Sequence, residues 1–219
     1  MVTLAEKLIM VSKTRVVSGA VEFVSSTPMT ITPQYTNSGV TLQYSLDGTS
    51  WTTIASGATT PGANIIYFRG SATGTNSLYA SNTTTNSWTF SGATNLRCNG
   101  KLDRLIQNNL GGDDDILAIS NYCFAYMFNN VTSLIGVYYD FLPATTLANS
   151  CYANMFFGCT KIKLSTTKTG SYVNEYRVPT VGTGIDNTDA LINMFSYTGG
   201  TFKSTPTINT TYYTENTIV

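Results

Sequence analysis

The chain contains no histidine. That single absence removes the usual general base, the proton shuttle and the commonest metal ligand together. Charge is scarce as well: only 11% of the residues are Asp, Glu, Lys or Arg, against roughly 25% in ordinary soluble proteins. Twelve acidic residues cancel twelve basic ones, so no net field exists to steer nucleic acid or an anionic membrane surface. No apolar run approaches the ~18 residues of a membrane span, and no membrane insertion is expected. The N-terminal stretch "LIMV" (Leu8 to Val11) is far shorter than the roughly 7 to 15 apolar residues of a signal core, and neither a small-residue cleavage site nor a lipid-accepting Cys follows it. The expectation is a non-enzymatic protein without cofactor or metal, which stays where it is made unless it leaves as part of a larger assembly.

What replaces charge is Thr, Ser and Asn, together with 14 Tyr and 10 Phe, a palette that favours strands and solvates the surface through neutral hydroxyls and amides. At 219 residues and 42% hydrophobic composition, the chain can bury a sizeable core in one large or two small domains. Residues 1–18 read as a short helix and linker. Thr3 and Glu6 form a capping box, and Leu4, Leu8 and Val11 share one face. This stripe needs a partner: the body of the protein, a second copy, or another protein. Residues 19–95 read as an antiparallel β-sandwich built from short strands between Gly, Asn, Ser and Thr. Its clearest hairpin is "VTLQYSLDGTSWTTI", turning at Asp47-Gly48. A loop of two or four residues places Leu42, Tyr44 and Leu46 on one core-facing side with Trp51.

Residues 96–219 carry an internal repeat. "CFAYMFNNVTSL" from Cys123 returns as "CYANMFFGCTKI" from Cys151, 28 positions later. Met127 matches Met155 and Phe128 matches Phe156. A weaker third copy, "ALINMFSYTGGTF", aligns Met194-Phe195 with Met155-Phe156 at an offset of 39. The Cys, Met and Phe fall at i, i+4 and i+5, which predicts a short helical turn in each copy, capped by Ser120 in the first and by Asn149 or Ser150 in the second. A unit of this length cannot bury its apolar face alone and must stack on its neighbour.

"SNYCFAYMFNNVTSL" and "LPATTLANSCYANMFFGCTKI" resemble the BspA-like leucine-rich repeats. The order of "LQYSLDGTSWTTI", "IYFRG" and "CNGKLDRLI" ahead of them is similar to virion proteins of crAss-like and related phages of gut Bacteroidales. The likeness covers residues 20–203, with Asn130-Val131 standing where the repeat family has Gly-Cys. It implies a mainly β fold with short helices, in which the sandwich is followed by a short leucine-rich-repeat-like solenoid. It also implies a virion surface protein, a head fibre, decoration or tail-fibre subunit, assembled in the host cytoplasm. Such a subunit is expected to hold other virion proteins through its N-terminus, to form a dimer or trimer, and to meet a host-surface glycan or protein. The alternative is a bacterial cell-surface adhesin or lipoprotein of the same repeat family.

Among candidate sites, Tyr172, Tyr176, Tyr197, Tyr212 and Tyr213 crowd the C-terminal end, where they serve either as adhesive aromatics or as a plug for the open end of the stack. Cys98, Cys123, Cys151 and Cys159 follow the repeat and read as small buried hydrophobes, ahead of a disulfide or a zinc site. "GGDDD" (Gly111 to Asp115) offers clustered carboxylates, for a cation or for a solvated interdomain loop. Asp103, Glu175 and Asp189 read as surface or cap residues.

Overall fold

The computed structural model describes residues 17–138, 140–177, 187–208 and 210–215. Leu4, Leu8 and Val11, with the predicted N-terminal helix, lie outside them. The fold is mainly β. Among the described residues, helix is confined to single turns at Thr84–Asn86, Leu102–Leu105 and Asn187–Ala190.

A seven-stranded sheet holds β1 (Val21–Thr32), β2 (Val40–Ser45), β3 (Thr52–Ile54), β4 (Ala63–Ala72), β5 (Thr89–Ser91), β6 (Leu96–Asn99) and β7 (Leu134–Val137). Its order is β3-β2-β4-β1-β6-β7, with β5 paired to the far half of β1. Neighbours run antiparallel except β6 and β7. The sheet thus continues past residue 95. A second, four-stranded sheet joins β8 (Lys163–Ser165), β9 (Asn174–Arg177), β10 (Gly199–Gly200) and β11 (Thr211–Thr214) in the order β10-β8-β11-β9. The pairing of β1 with β4 shifts register between Val24 and Met29. Pro28, which has no N–H to give a ladder, is exposed inside that irregularity.

The β2–β3 hairpin departs from the expected parity. Leu42 pairs with Ile54 and Tyr44 with Thr52, so the loop between Ser45 and Trp51 has an odd length and Trp51 falls on the face opposite Leu42. There the Arg69 guanidinium lies 4.2 Å from its ring centroid. Leu46 is 44% exposed. The cause is Asp47, whose Oδ1 accepts from the N–H groups of Thr49 and Ser50, both at 2.7 Å, and from the Ser45 hydroxyl at 2.9 Å. Those bonds hold its carboxyl well below the usual carboxylate range.

The repeats are not helical turns. Each is a ribbon of consecutive β-turns. In the first, the N–H groups of Ala125, Met127, Asn129 and Val131 donate to the carbonyls of Tyr122, Phe124, Tyr126 and Phe128 at 2.8–3.2 Å. Every fourth residue has positive φ: Tyr122, Tyr126 and Asn130, then Ser150, Asn154 and Gly158, then Asn193 and Tyr197. A residue in the left-handed region stops an α-helix from propagating. The intervening N–H groups point sideways and bond the next copy. Phe124, Tyr126, Phe128 and Asn130 donate to the carbonyls of Cys151, Ala153, Met155 and Phe157 at 2.7–3.0 Å, and Tyr152, Asn154, Phe156 and Gly158 donate to those of Ala190, Ile192, Met194 and Ser196 at 2.9–3.0 Å.

The departure at Asn130-Val131 is therefore conformationally neutral, since Asn and Gly are the residues that best accept positive φ. Space agrees with backbone: a Cβ on Gly158 would lie 2.1 Å from Asn130 Oδ1.

Side chains stack in the same register. Phe128, Phe156 and Phe195 form a ladder with centroid spacings of 5.6 and 5.4 Å and interplanar angles of 11° and 14°. Phe90 extends it at 5.8 Å, and Phe124 stacks on Tyr152 at 6.0 Å. The ladder meets the large sheet through Phe23, 6.3 Å from Phe128, and Trp88 packs against Phe23 and Phe68 at 5.9 and 5.1 Å. All four cysteines are free and buried beside it.

Two measurements test this packing. Phe156→Ala should lower the free energy of unfolding by about 3–5 kcal/mol, as buried aromatic deletions do; a loss under ~1 kcal/mol in chemical denaturation would mean that the ladder does not hold the stack. Asn154→Ala should be less stable than Asn154→Gly by ~1 kcal/mol, because Ala resists positive φ. The order reverses in a helix, where Gly is the worse residue.

Candidate functional site

The stack is closed at both ends. On the near side the segment 77–88 caps the first ribbon: Leu78 and Trp88 N–H donate to the Cys123 and Met127 carbonyls, and the Ser77 and Ser87 hydroxyls donate to those of Asn121 and Asn129. On the far side Phe195 N–H donates to the Ser204 carbonyl at 3.2 Å, and Asn193 N–H to Thr205 Oγ1 at 2.8 Å.

The tyrosines divide. Tyr176 is 5% exposed and packs edge-on against Phe195 at 5.7 Å; Tyr212 is 2% exposed, lies 4.5 Å from Phe202 and accepts from Thr207 N–H. Burial pushes the Tyr176 hydroxyl far above its ordinary range. These two cover the last rung of the ladder and present no face to a ligand. Tyr172 and Tyr213 are half-buried. Tyr197 is 71% exposed.

Tyr197 also carries backbone strain. Its φ is 59° at the position held by Gly158 and Asn130 in the other ribbons, so a bulky residue stands where small or amide residues fit best. Its ring gains one aromatic neighbour, Phe157, at 4.8 Å and 57°. With Asn193, Ser196 and Lys203 these rings line a cleft of about 510 Å³, within the usual size range of ligand pockets. The cleft offers two ring faces, an amide, a hydroxyl and an ammonium, and no carboxylate. A second concavity of about 420 Å³ lies near Asn37, Ser77 and Tyr122. There the Asn37 amide already donates to the Ser77 and Tyr79 carbonyls, and the Ser77 hydroxyl to those of Tyr79 and Asn121.

The acidic loop is occupied by protein cations. Arg104, almost buried, meets Asp103 and Asp113 at 2.9 Å and Asp115 at 3.2 Å, while Lys101 meets Asp115 at 2.7 Å and Asp140 at 3.0 Å. Asp113 also accepts from the Ser18 hydroxyl and Gly19 N–H, which ties down the chain where residues 17–19 join the body. Among the described residues no group of three or more acidic or thiol side chains could hold a metal ion. Asp103, expected as a surface or cap residue, is not at the surface: it is 1% exposed and accepts from Ile116 N–H at 2.7 Å. Burial raises its pKa to about 6, against the opposing pull of that N–H and of Arg104. Asp113 is held low, chiefly by the Ser18 hydroxyl. Partial burial works against ionisation of Asp115, but Lys101 and Arg104 outweigh it and hold it low.

The chain matches no protein-family model, no curated protein and no solved structure. Among the described residues no helix is long and apolar enough to cross a membrane.

The Asp103 carboxyl gives a pH signature. Its folded pKa lies above its unfolded value, so its contribution to stability is full below about pH 4 and is lost as pH rises through about 6, a change of roughly 2–3 kcal/mol. The depressed carboxyls of Asp113 and Asp115 act in the opposite sense and at lower pH. Urea midpoints measured from pH 4 to 6.5 should converge for wild type and Asp103→Asn at the acid end and separate in favour of the variant at the upper end. Parallel profiles would show that Asp103 does not titrate in this window.

Proposed function

We propose that the protein is a non-enzymatic surface subunit of a phage particle, of head-fibre, decoration or tail-fibre type, that attaches through residues 1–18 and adheres to the bacterial host through the cleft at Phe157 and Tyr197. In the same reading the three ribbons are coils of a short leucine-rich-repeat-like solenoid, and the strands before residue 96 form the sandwich that carries it. The observation that bears most on adhesion is Tyr197. An exposed aromatic held at positive φ costs backbone energy without the return of burial. Such a residue is explained most simply by what it binds. The sequence likeness over residues 20–203 supports the virion setting, and the balance of twelve cations against twelve anions argues against a nucleic-acid partner. Anchoring by residues 1–18 follows from their amphipathic pattern and from the tie of Ser18 and Gly19 to Asp113, which fixes where that segment leaves the body.

Mass spectrometry of purified particles should detect the protein. Removal of residues 1–16, which spares the Ser18 and Gly19 tie to Asp113, should leave a folded body with a melting temperature near that of the full chain, but should abolish its incorporation into particles. Tyr197→Ala should incorporate normally and lose binding to Bacteroidales cells. Recovery of the protein from the bacterial envelope and not from particles would refute the virion reading, and unfolding of the truncated chain would refute the anchor.

A further inference from the structure

We infer, building on the adhesive reading above, that the Phe157–Tyr197 cleft takes a saccharide bearing a carboxylate, with a sugar ring against the aromatic faces and the acid group between Lys203 Nζ and the Tyr197 backbone N–H. The argument begins with the ribbon hydrogen bonds. Each ribbon sends alternate N–H groups to the layer beyond it, and the last donor of each series is the residue equivalent to Tyr197. Asn130 N–H donates to the Phe157 carbonyl at 2.7 Å, and Gly158 N–H to the Ser196 carbonyl at 2.9 Å. In the third ribbon Asn193 and Phe195 find Thr205 and Ser204. Tyr197 comes next in that series, and its N–H has no acceptor among the described residues. It is directed, by the regularity of the ribbon, toward the side from which residues 203–205 close the stack.

Lys203 stands on that side, exposed and lining the same cleft. Among the described residues it has no carboxylate partner, in contrast to Lys101 and Lys163, which pair with Asp115 and Glu215. A backbone N–H and an ammonium together make a two-point site for a carboxylate, and no acidic side chain lines the cleft to compete for them. The remainder of the lining suits a sugar. Phe157 and Tyr197 meet at 57°, so each leaves a ring face for axial C–H groups, and Asn193 and Ser196 supply the neutral donors and acceptors that hydroxyls need. A volume of about 510 Å³ admits one or two pyranose rings.

Calorimetric titration of the full chain with sialyllactose and with a hyaluronan tetrasaccharide, set against lactose and chitotetraose, tests the acid. At least one acidic probe should bind, about tenfold or more tighter than its neutral counterpart, the value of one charge-assisted hydrogen bond. Lys203→Gln should bring the acidic probe to the neutral level, Tyr197→Phe should retain binding, and Tyr197→Ala should lose it, all three with unchanged melting temperature. Equal affinities for acidic and neutral sugars, no binding of either acidic probe, or indifference to Lys203→Gln would overturn the inference. The broader adhesive reading fails separately: if Tyr197→Ala binds host cells as well as wild type, the cleft is not the adhesive site at all. If that variant loses cell binding while neither acidic probe competes with wild type, the cleft stands and the ligand class falls.

Discussion

The sideways hydrogen bonds of the turn ribbons are the constraint on which the rest of the structure depends. A chain with positive φ at every fourth residue cannot satisfy its N–H groups within itself as a helix does; half go to local i+3 turns and the other half need an acceptor in another layer. No ribbon is stable in isolation, and each outer layer must be covered. This is why the segment 77–88 abandons the sheet to lie on the first ribbon, and why residues 204 and 205 return to the third. The aromatic ladder follows from the same geometry. Layers bonded in fixed register place Phe128, Phe156 and Phe195 one above another, and stacking at 5.4–5.6 Å adds ~0.5–1.5 kcal/mol per pair beyond area burial.

The ladder also joins the two sheets to one core. Phe23 and Phe68 on the large sheet reach Trp88, Phe90 continues into the ladder, and Phe195 ends against Tyr176 on the smaller sheet and Phe202 just after β10. Buried residues from Val21 to Tyr212 therefore form a single cluster. Burial deactivates the thiols along it: the Cys98, Cys123 and Cys159 pKa values are all pushed up, and that of Cys151 reaches about 12.

The repeat itself was legible in the sequence, down to its offsets of 28 and 39 residues, because stacked layers need like side chains at like heights. The predominance of strand was legible from composition. The helical turn does not follow from the pattern alone: Cys, Met and Phe at i, i+4 and i+5 fit a turn ribbon of period four as well as a helix of period 3.6. The discriminating signal was on the other face, where Asn130, Asn154, Gly158 and Asn193 occupy the positive-φ positions. The hairpin parity depended on Asp47 capping two N–H groups, which adds one residue to the loop and carries Trp51 to the other side. The Arg104 network was out of reach of local patterning, since it gathers Asp103, Asp113 and Asp115 with Ser18, some 95 positions upstream of Asp113. The tyrosine cluster was visible as a group, but its division into buried Tyr176 and Tyr212 and exposed Tyr197 was not, because it rests on which residues meet Phe195 and Phe202.

A closed stack limits where binding can occur. Long repeat arrays build a concave surface from many equivalent layers, whereas three ribbons sealed at both ends offer no such surface, and their inner positions are filled by the ladder. What remains are the outward positive-φ sites, which hold Tyr at Tyr122, Tyr126 and Tyr197 and a small or amide residue at the other five, as where Gly158 lies beneath Asn130. After the last ribbon no further ribbon follows for the side chain of Tyr197 to obstruct, since the covering bonds from residues 204 and 205 reach Phe195 and Asn193. A Tyr can stand there without clashing with a copy of itself, and the N–H behind it is released from the duty of holding the next layer. At the end of the stack the repeat geometry thus sets an exposed aromatic at positive φ beside a backbone donor that holds no further ribbon, and Tyr197 occupies that place.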